Sequence, residues 1–586
     1  MKSTERYPAK IIQSREENTG YRQFINIDSI MNSDSDYAET GEIEPKKGKH
    51  KVPSLIQANN FNFTIPHDAK IRSVTVEFAH KSTGDIDIAP PTVELIDVDA
   101  KKANGITDDF RKNEVVFDVT PSVFKINSPS FGVRIKYPTN TSENAGSIQI
   151  QYLKLIVSYD MPGKLNGLLK SREFIKITDV NVTGNRVSYS FETSPLLDDV
   201  FAKKEMFVEY MNMEGIDLAS VPQGILVIPL ISNLLPIVWL LDCKLIVDEL
   251  DEDFYNAIPK MKQGYMYMYK KAPFKGEISV NSLTNNRYEY ENKYLSLFSY
   301  GVDSLNTVLK YIDDRPMLLT LWGSDIPINE QESWNVMSSN IDGFAKDYNL
   351  DNFYVKSDFR KFINTASLYQ TFSEYLESGS NWWHNVQHGI AILSQATIPA
   401  YIFRVERILF ASTHAYSKED LSNRTNIVPC ASSPFIDNEF RFAGCSVIHD
   451  GCEFERGEKL DNIVEYSRKN DAKFNMHVCW FDLSGYNCNV CEKCARTYMY
   501  IMALGEDPSD YGFDIDDETL KTVERNFKDV IFNGKKIGGW AIHTKTLNFW
   551  KINQEKFRQN EDYWKDTNVG WLLDLDIDEI RDSLDR

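Results

Sequence analysis

Residues 294–325 read YLSLFSYGVDSLNTVLKYIDDRPMLLTLWGSD, and the changes of texture inside this stretch decide the fold expected for the larger part of the chain. The apolar run 294–298 (YLSLF) has the length and bulk of a buried strand. It passes through Ser299-Tyr300-Gly301-Val302-Asp303-Ser304 into a helical run, LNTVLKYI. A strand that turns through Ser and Gly into a helix N-terminus aims backbone N–H groups and the positive end of a dipole at one point, which suits a phosphate. A plain strand–helix turn has the same composition and stays open at this point. A second apolar strand, 317–322, then ends in Gly323-Ser324-Asp325.

Working outward, the alternation repeats. A strand is expected at 353–358 (FYVKSD), a helix near 381–396 and a strand at 408–416 (ILFASTHAY). Strands alternating with helices predict an α/β fold with a doubly wound parallel sheet, whose ligands sit at the carboxyl ends of the strands. Ser299, Gly323, Asp325, Ser412 and His414 all fall at such ends. His384 and His388, four apart on one expected helix, share a face that could take a metal. They read better as structural, since HNVQH lacks an acidic partner and Trp382 and Trp383 crowd it.

Four of the eight cysteines, Cys479, Cys488, Cys491 and Cys494, are spaced C-x8-C-x2-C-x2-C. Thiolates so close in sequence wrap around one ion, and four of them suit tetrahedral Zn²⁺ at about 2.3 Å. An iron–sulfur cluster takes the same ligands. A disulfide pair or ordinary buried thiols are the other readings, and nothing else in the chain has the look of a secreted disulfide scaffold. Cys243, Cys430, Cys445 and Cys452 are scattered.

At 586 residues, three to four domains are expected at roughly 150 residues each. Residues 1–50 are polar and charged and read as a flexible arm. From 51 to 164 short alternating segments (FNFTI, IRSVTVEFAH, TVELIDV, EVVFDV, FGVRIKY, SIQIQYLKLIVSYD) with Gly, Pro and Asn between them predict a β-sandwich used for binding or docking. Residues 165–290 read as an α+β segment, 291–510 as the α/β domain and 511–586 as a helical cap. The apolar run 225–241 (ILVIPLISNLLPIVWLL) falls short of the roughly 20 residues of a membrane span and contains two prolines, so two buried strands are expected there.

A net charge of −20 argues against broad nucleic-acid binding, which needs clustered cations. The opening MKSTERYPAKIIQSREENTG lacks the apolar core of a secretory signal, so a cytoplasmic location without membrane attachment is expected.

The hexad Ser299 to Ser304 is similar to the SGGxDS signature of the PP-loop ATP pyrophosphatases, with Tyr300 standing where that family has its first glycine. If this position needs φ > 0, tyrosine strains the turn. The order of phosphate loop, Ser432-Ser433-Pro434-Phe435-Ile436-Asp437, Lys459 opening K-x-x-x-I, and the cysteine set resembles the 7-cyano-7-deazaguanine synthase family over residues 291–505. Glu458 and Leu460 beside Lys459, and the absence of a Cys and an Arg beside Asp437, depart from that family's segments. The 51–164 segment looks like jelly-roll modules of phage structural and carbohydrate-binding proteins.

The resemblance implies ATP-dependent adenylation of a carboxylate such as 7-carboxy-7-deazaguanine, followed by attack of ammonia or a protein amine. It implies that Ser299, Tyr300, Gly301, Val302, Asp303, Ser304, Gly323 and Asp325 hold ATP and Mg²⁺. Catalytic roles fall to Asp303, Lys459 and Asp437, substrate contact to Ser412 and His414, and a structural Zn²⁺ to the four cysteines. Relatives extended in this way are associated with anti-phage operons, which implies a protein partner for the β-sandwich; a homodimer is the oligomer considered. Two other functions stay open: a phosphate loop retired by Tyr300 that serves as a binding or sensing platform, and a PP-loop nucleic-acid thiolase or amidase.

Overall fold

The computed structural model describes residues 2–13, 21–31, 36–45, 47–48, 52–65, 69–96, 98–118, 121, 123–160, 173–213, 216–372, 375 and 381–584. The chain falls into two units, one comprising Met1–Glu173 with Thr193–Val200 and Thr365–Ser378, the other the remainder.

The described residues of the first unit form antiparallel sheets of six and five strands and a short parallel pair, Tyr21–Arg22 with Val52–Pro53. Its longest pair, Lys70–Thr83 against Ser147–Asp160, is antiparallel, with breaks in register between Ile150 and Tyr152 and between Ser158 and Tyr159. Val74, Val76, Phe78, Leu153, Leu155 and Val157 point inward and share one core with Val93, Leu95, Val133 and Ile135 of the other sheet. The expectation of a loose arm over 1–50 fails for its described residues. Lys2–Arg6 pairs with Ser147–Asp160 and Lys10–Gln13 with Ile56–Asn59, while Phe24, Ile30 and Ala38 are buried. Main-chain ladders do not require apolar side chains, and charged residues are common on edge strands, so composition alone concealed these strands. The rest of the expected arm lies outside the described residues. FNFTI is not a ladder strand either: Asn60 and Asn62 have φ of 56° and 51°, which breaks the extended run, although Phe61, Phe63 and Ile65 still pack into the core.

The second unit is mixed α/β around one eleven-stranded sheet. Five consecutive strands are parallel: Asn352–Ser357, Met317–Trp322, Asn292–Leu297, Val405–Ala411 and Cys445–Asp450, in that spatial order. In chain order we label them β1 (Asn292–Leu297), β2 (Met317–Trp322), β3 (Asn352–Ser357), β4 (Val405–Ala411) and β5 (Cys445–Asp450). Helix α1 (Val302–Lys310) follows β1, α2 (Arg456–Asn470) follows β5, and α3 (Glu492–Ala503) follows the cysteine loop. The strands Phe174–Thr183, Lys244–Asp251 and Glu277–Thr284 belong to the same sheet as β1, so the described residues of 165–290 form no sheet of their own. C-terminal aromatics Phe527, Trp540, Trp550 and Trp571 share a core with Tyr498 and Tyr500 of α3.

Residues 225–241 are helical, not two strands: Gln223–Leu226 leads into Ile228–Leu240, every residue of which is buried. A helix covered on all sides carries no amphipathic period and looks like buried strand from sequence. Pro229 sits in the first turn, where its missing N–H costs nothing. Asn233 turns its amide back onto the Pro229 carbonyl at 2.8 Å and accepts from Gln387 at 2.9 Å. Among the described residues no helix is long and apolar enough to cross a membrane.

Candidate anion-binding and metal sites

Strand β1 delivers the chain to an exposed Ser299, and a single left-handed residue then turns it into α1. That residue is Tyr300, at φ 56°. Its ring is 3% exposed and lies 5.2 Å, centroid to centroid, from both Phe298 and Phe344. Its hydroxyl accepts the Asn475 N–H at 3.1 Å, and its carbonyl accepts the His477 N–H at 2.9 Å. Burial pushes the phenol pKa up, so it stays a neutral anchor. A strained tyrosine thus ties the loop to the segment that enters the cysteine cluster.

The loop is compact. Ser304 Oγ donates to the Gly301 carbonyl at 3.2 Å and accepts from the Ser299 N–H at 3.3 Å. Gly301 is the N-cap of α1, and no side chain caps the helix. Its first N–H groups are therefore the unsatisfied donors that bind anions in other helices.

Cations gather at this point. Lys459, 1% exposed, donates to Asp303 at 3.0 Å and to the Ser412 carbonyl. Arg456, one helical turn earlier on α2, reaches Asp303 at 3.4 Å and Thr497 at 3.3 Å, and its buried Nε has no partner among the described residues. Burial disfavours ionisation of Asp303, but Lys459 and Arg456 outweigh it and hold the carboxyl below its usual range. The ammonium of Lys493, the second residue of α3, makes no hydrogen bond or ion pair with another described residue, although the Lys493 carbonyl accepts the Thr497 hydroxyl at 2.7 Å. Burial, then the neighbouring Arg456, push its pKa down, with Asp325 opposing. Arg496 stands behind, 3.7 Å from Glu492 and over the Phe549 ring, its pKa lowered by burial to about 10. Arg456 and Lys459 both meet Asp303 at the uncapped start of α1, and Lys493 is near enough to feel Arg456, Asp325 and Asp303, so the three cations outnumber the two carboxylates around them.

The other expected residues divide. Gly323 has φ 117° and would place a Cβ 1.9 Å from the Ser357 carbonyl, so the turn after β2 requires glycine. Asp325 is exposed and acts electrostatically on Lys493 and His477. Asp437, expected as a catalytic group, is 0% exposed. Its carboxylate takes Ser432 Oγ at 2.9 Å, the Ser433 N–H at 3.1 Å and His449 Nδ1 at 2.8 Å. His449 Nε2 meets Ser412 Oγ at 2.7 Å. The order Ser–His–Asp is that of a hydrolytic triad, yet Ser412 is 1% exposed and spends its hydroxyl proton on the His414 carbonyl at 2.8 Å. This relay is scaffolding for Lys459 and the β4 end, so Ser412 and Asp437 are not free to meet a substrate.

Cys479, Cys488, Cys491 and Cys494 bring their sulfurs within 4.8 Å of one another, with Cys479 and Cys491 at 3.9 Å. Tetrahedral Zn–S bonds of about 2.3 Å imply sulfurs about 3.8 Å apart, whereas a disulfide needs about 2.05 Å. All are free thiols. Hydrogen bonds from Cys488, Cys491 and Cys494 hold the Cys479 thiol well below its usual range. The Asp482 N–H approaches Cys479 Sγ at 3.4 Å and the Cys491 N–H approaches Cys488 Sγ at 3.3 Å, contacts that steady thiolates around a metal. The residues fit a divalent metal such as zinc. It would close the loop that starts α3, and so would hold Lys493.

Arg456, Lys493 and His449 were not foreseen from sequence. A signal existed for two of them: Arg456 and Lys459 stand three apart on a helix, and Lys493 lies between two cysteines of a chelating loop.

Neither a family model nor a curated protein matches this sequence. Among solved structures, one described as "CBM4 structure and function" aligns with 22% of this chain and 87% of its own at 11% identity and a TM-score of 0.15, a likeness too slight to carry an argument.

Proposed function

We propose that the second unit is a PP-loop domain that activates a carboxylate with ATP. The observation that carries this reading is the placement of Arg456, Lys459 and Lys493 about the uncapped start of α1, with Lys493 unpaired. Triphosphate oxygens supply the charge this point lacks, and Mg²⁺ travels with them on phosphate and water oxygens. A carboxylate is a poor electrophile; one oxygen attacks the α-phosphorus, the Pα–O bond to the β-phosphate breaks and pyrophosphate leaves. The resulting acyl adenylate loses AMP when an amine adds to its carbonyl carbon and gives up a proton. Lys493 and Arg456 stabilise charge that develops on the departing pyrophosphate. The substrate class we assign is a deazaguanine-like carboxylate, with ammonia or a protein amine as acceptor, the latter fitting a defence role in which the first unit recruits the partner.

The test is pyrophosphate release by zinc-loaded protein given ATP, Mg²⁺ and 7-carboxy-7-deazaguanine. Release that depends on the carboxylate supports the reading; none from folded, metal-loaded protein counts against it. Tyr300 at φ 56° favours a second reading, a loop that binds nucleotide without turnover, which that protein would display as ATP binding without pyrophosphate.

A further inference from the structure

A second group of ligand atoms lies in the same unit, apart from the four cysteines. His384, His414 and Cys430 each offer one ligand atom, and these lie within 4.8 Å of one another. They come from three separate places: His384 from the π-helical turn Trp383–Gln387, His414 from the chain just past β4, and Cys430 from the loop before Ser432. We propose that they form a second zinc site, with three protein ligands and a fourth position open to water or to a nitrogen or sulfur donor on a substrate.

The local build supports a site rather than a chance encounter. The His384 carbonyl accepts the Ala431 N–H at 3.0 Å, which ties the π turn to the residue after Cys430. Gly389, just beyond that turn, admits the same strand of loop: a Cβ there would stand 2.2 Å from the Ala431 carbonyl. On the other side, Ser412 holds the His414 carbonyl at 2.8 Å, His449 holds Ser412, and Asp437 joins His449 to Ser432 and Ser433. The buried relay therefore has an employment that the anion site alone does not explain. It locks the His414 segment to the Cys430 loop, as outer-shell hydrogen bonds do around metals. A π turn, rare elsewhere and frequent at functional sites, shifts His384 off the regular helical face.

The donor set selects the ion. Two imidazoles and a thiolate suit zinc and disfavour Mg²⁺ or Ca²⁺, which take oxygen. Bonds of about 2.0–2.3 Å put ligand atoms about 3.3–3.8 Å apart, within small side-chain rotations of the spacing seen. Cys430 is 1% exposed and His384 exposed, so the ion would sit with one side toward solvent. Three ligands with one open position is the composition of catalytic zinc, in contrast to the closed four-cysteine set.

Metal analysis of the full chain, loaded with excess Zn²⁺ and desalted, tests this. Wild type should hold two zinc per chain, and His384→Ala and Cys430→Ala one each, with circular dichroism unchanged. Titration of the apo chain with Co²⁺, which needs no variant, should show two breakpoints in the thiolate-to-cobalt band, the second much the weaker because it adds a single sulfur. One zinc in wild type, two zinc retained in both variants, copper in place of zinc, or a single cobalt breakpoint would each overturn the proposal. Nucleotide enters none of these readouts, so they stand whether or not the chain makes an adenylate.

Discussion

Replacing Tyr300 by glycine would introduce the residue that the similar PP-loop signature carries at this position, and the structure says that it should weaken the protein. The left-handed backbone costs a non-glycine residue about 1–2 kcal/mol, and glycine recovers that. Against it stand the loss of a fully packed aromatic, about 3–5 kcal/mol, and the added freedom of an unfolded glycine, about 0.5–1 kcal/mol. The net is a loss of about 2–5 kcal/mol. Tyr300→Phe keeps the ring and removes only the acceptor of the Asn475 N–H, which costs about 1–3 kcal/mol if that donor stays buried and unpaired. Urea unfolding followed by tryptophan fluorescence reads both, with the midpoint falling further for Tyr300→Gly than for Tyr300→Phe at an unchanged slope. A Tyr300→Gly protein as stable as wild type would refute the idea that the ring anchors the loop.

Chelation of the metal, or Cys491→Ala, should unseat α3 and with it the core around Tyr498, because structural zinc contributes about 10–16 kcal/mol; loss of near-ultraviolet circular dichroism checks this. Lys493→Ala should weaken ATP or pyrophosphate binding by about 10–100-fold, the worth of one charged hydrogen bond, as read by calorimetry. The same variant should be no less stable than wild type near neutral pH, since it removes a desolvated cation. The depressed Lys493 pKa means the folded state binds fewer protons between that value and the usual value of about 10.4, so wild-type stability gains from Lys493 as pH rises through the window, and the variant lacks that gain. Asp303→Asn should cost about 3–5 kcal/mol by leaving the buried Lys459 ammonium unpaired. Because the Asp303 pKa is lowered, its contribution is complete above the usual value of about 3.9 and disappears as pH falls through the folded value, which acid unfolding of wild type and variant resolves.

The parts of the site that could be read from sequence are those whose partners are close along the chain. Cys488, Cys491 and Cys494 are spaced for one ion, and Ser299 to Ser304 mark a turn between two texturally distinct elements. Arg456 meets Asp303 across 153 residues, and His449 meets Ser412 across 37, distances over which residue type carries no positional information. The cation group was therefore invisible until α2 was placed beside α1. Two fold errors have separate causes. In 225–241, Pro229, Pro236 and Asn233 read as strand breaks although first-turn placement and a side-chain bond to a carbonyl absorb two of them. In 2–13, charge suggested solvent, yet an edge ladder uses only main-chain groups.

Isotope exchange between labelled pyrophosphate and ATP tests adenylyl transfer most directly, since it needs neither the amine nor the final product. With zinc-loaded protein, Mg²⁺ and 7-carboxy-7-deazaguanine, label should enter ATP, and Lys493→Ala should slow it by about 10–100-fold. Folded wild-type protein that binds ATP but exchanges no label with the carboxylate present would contradict the account.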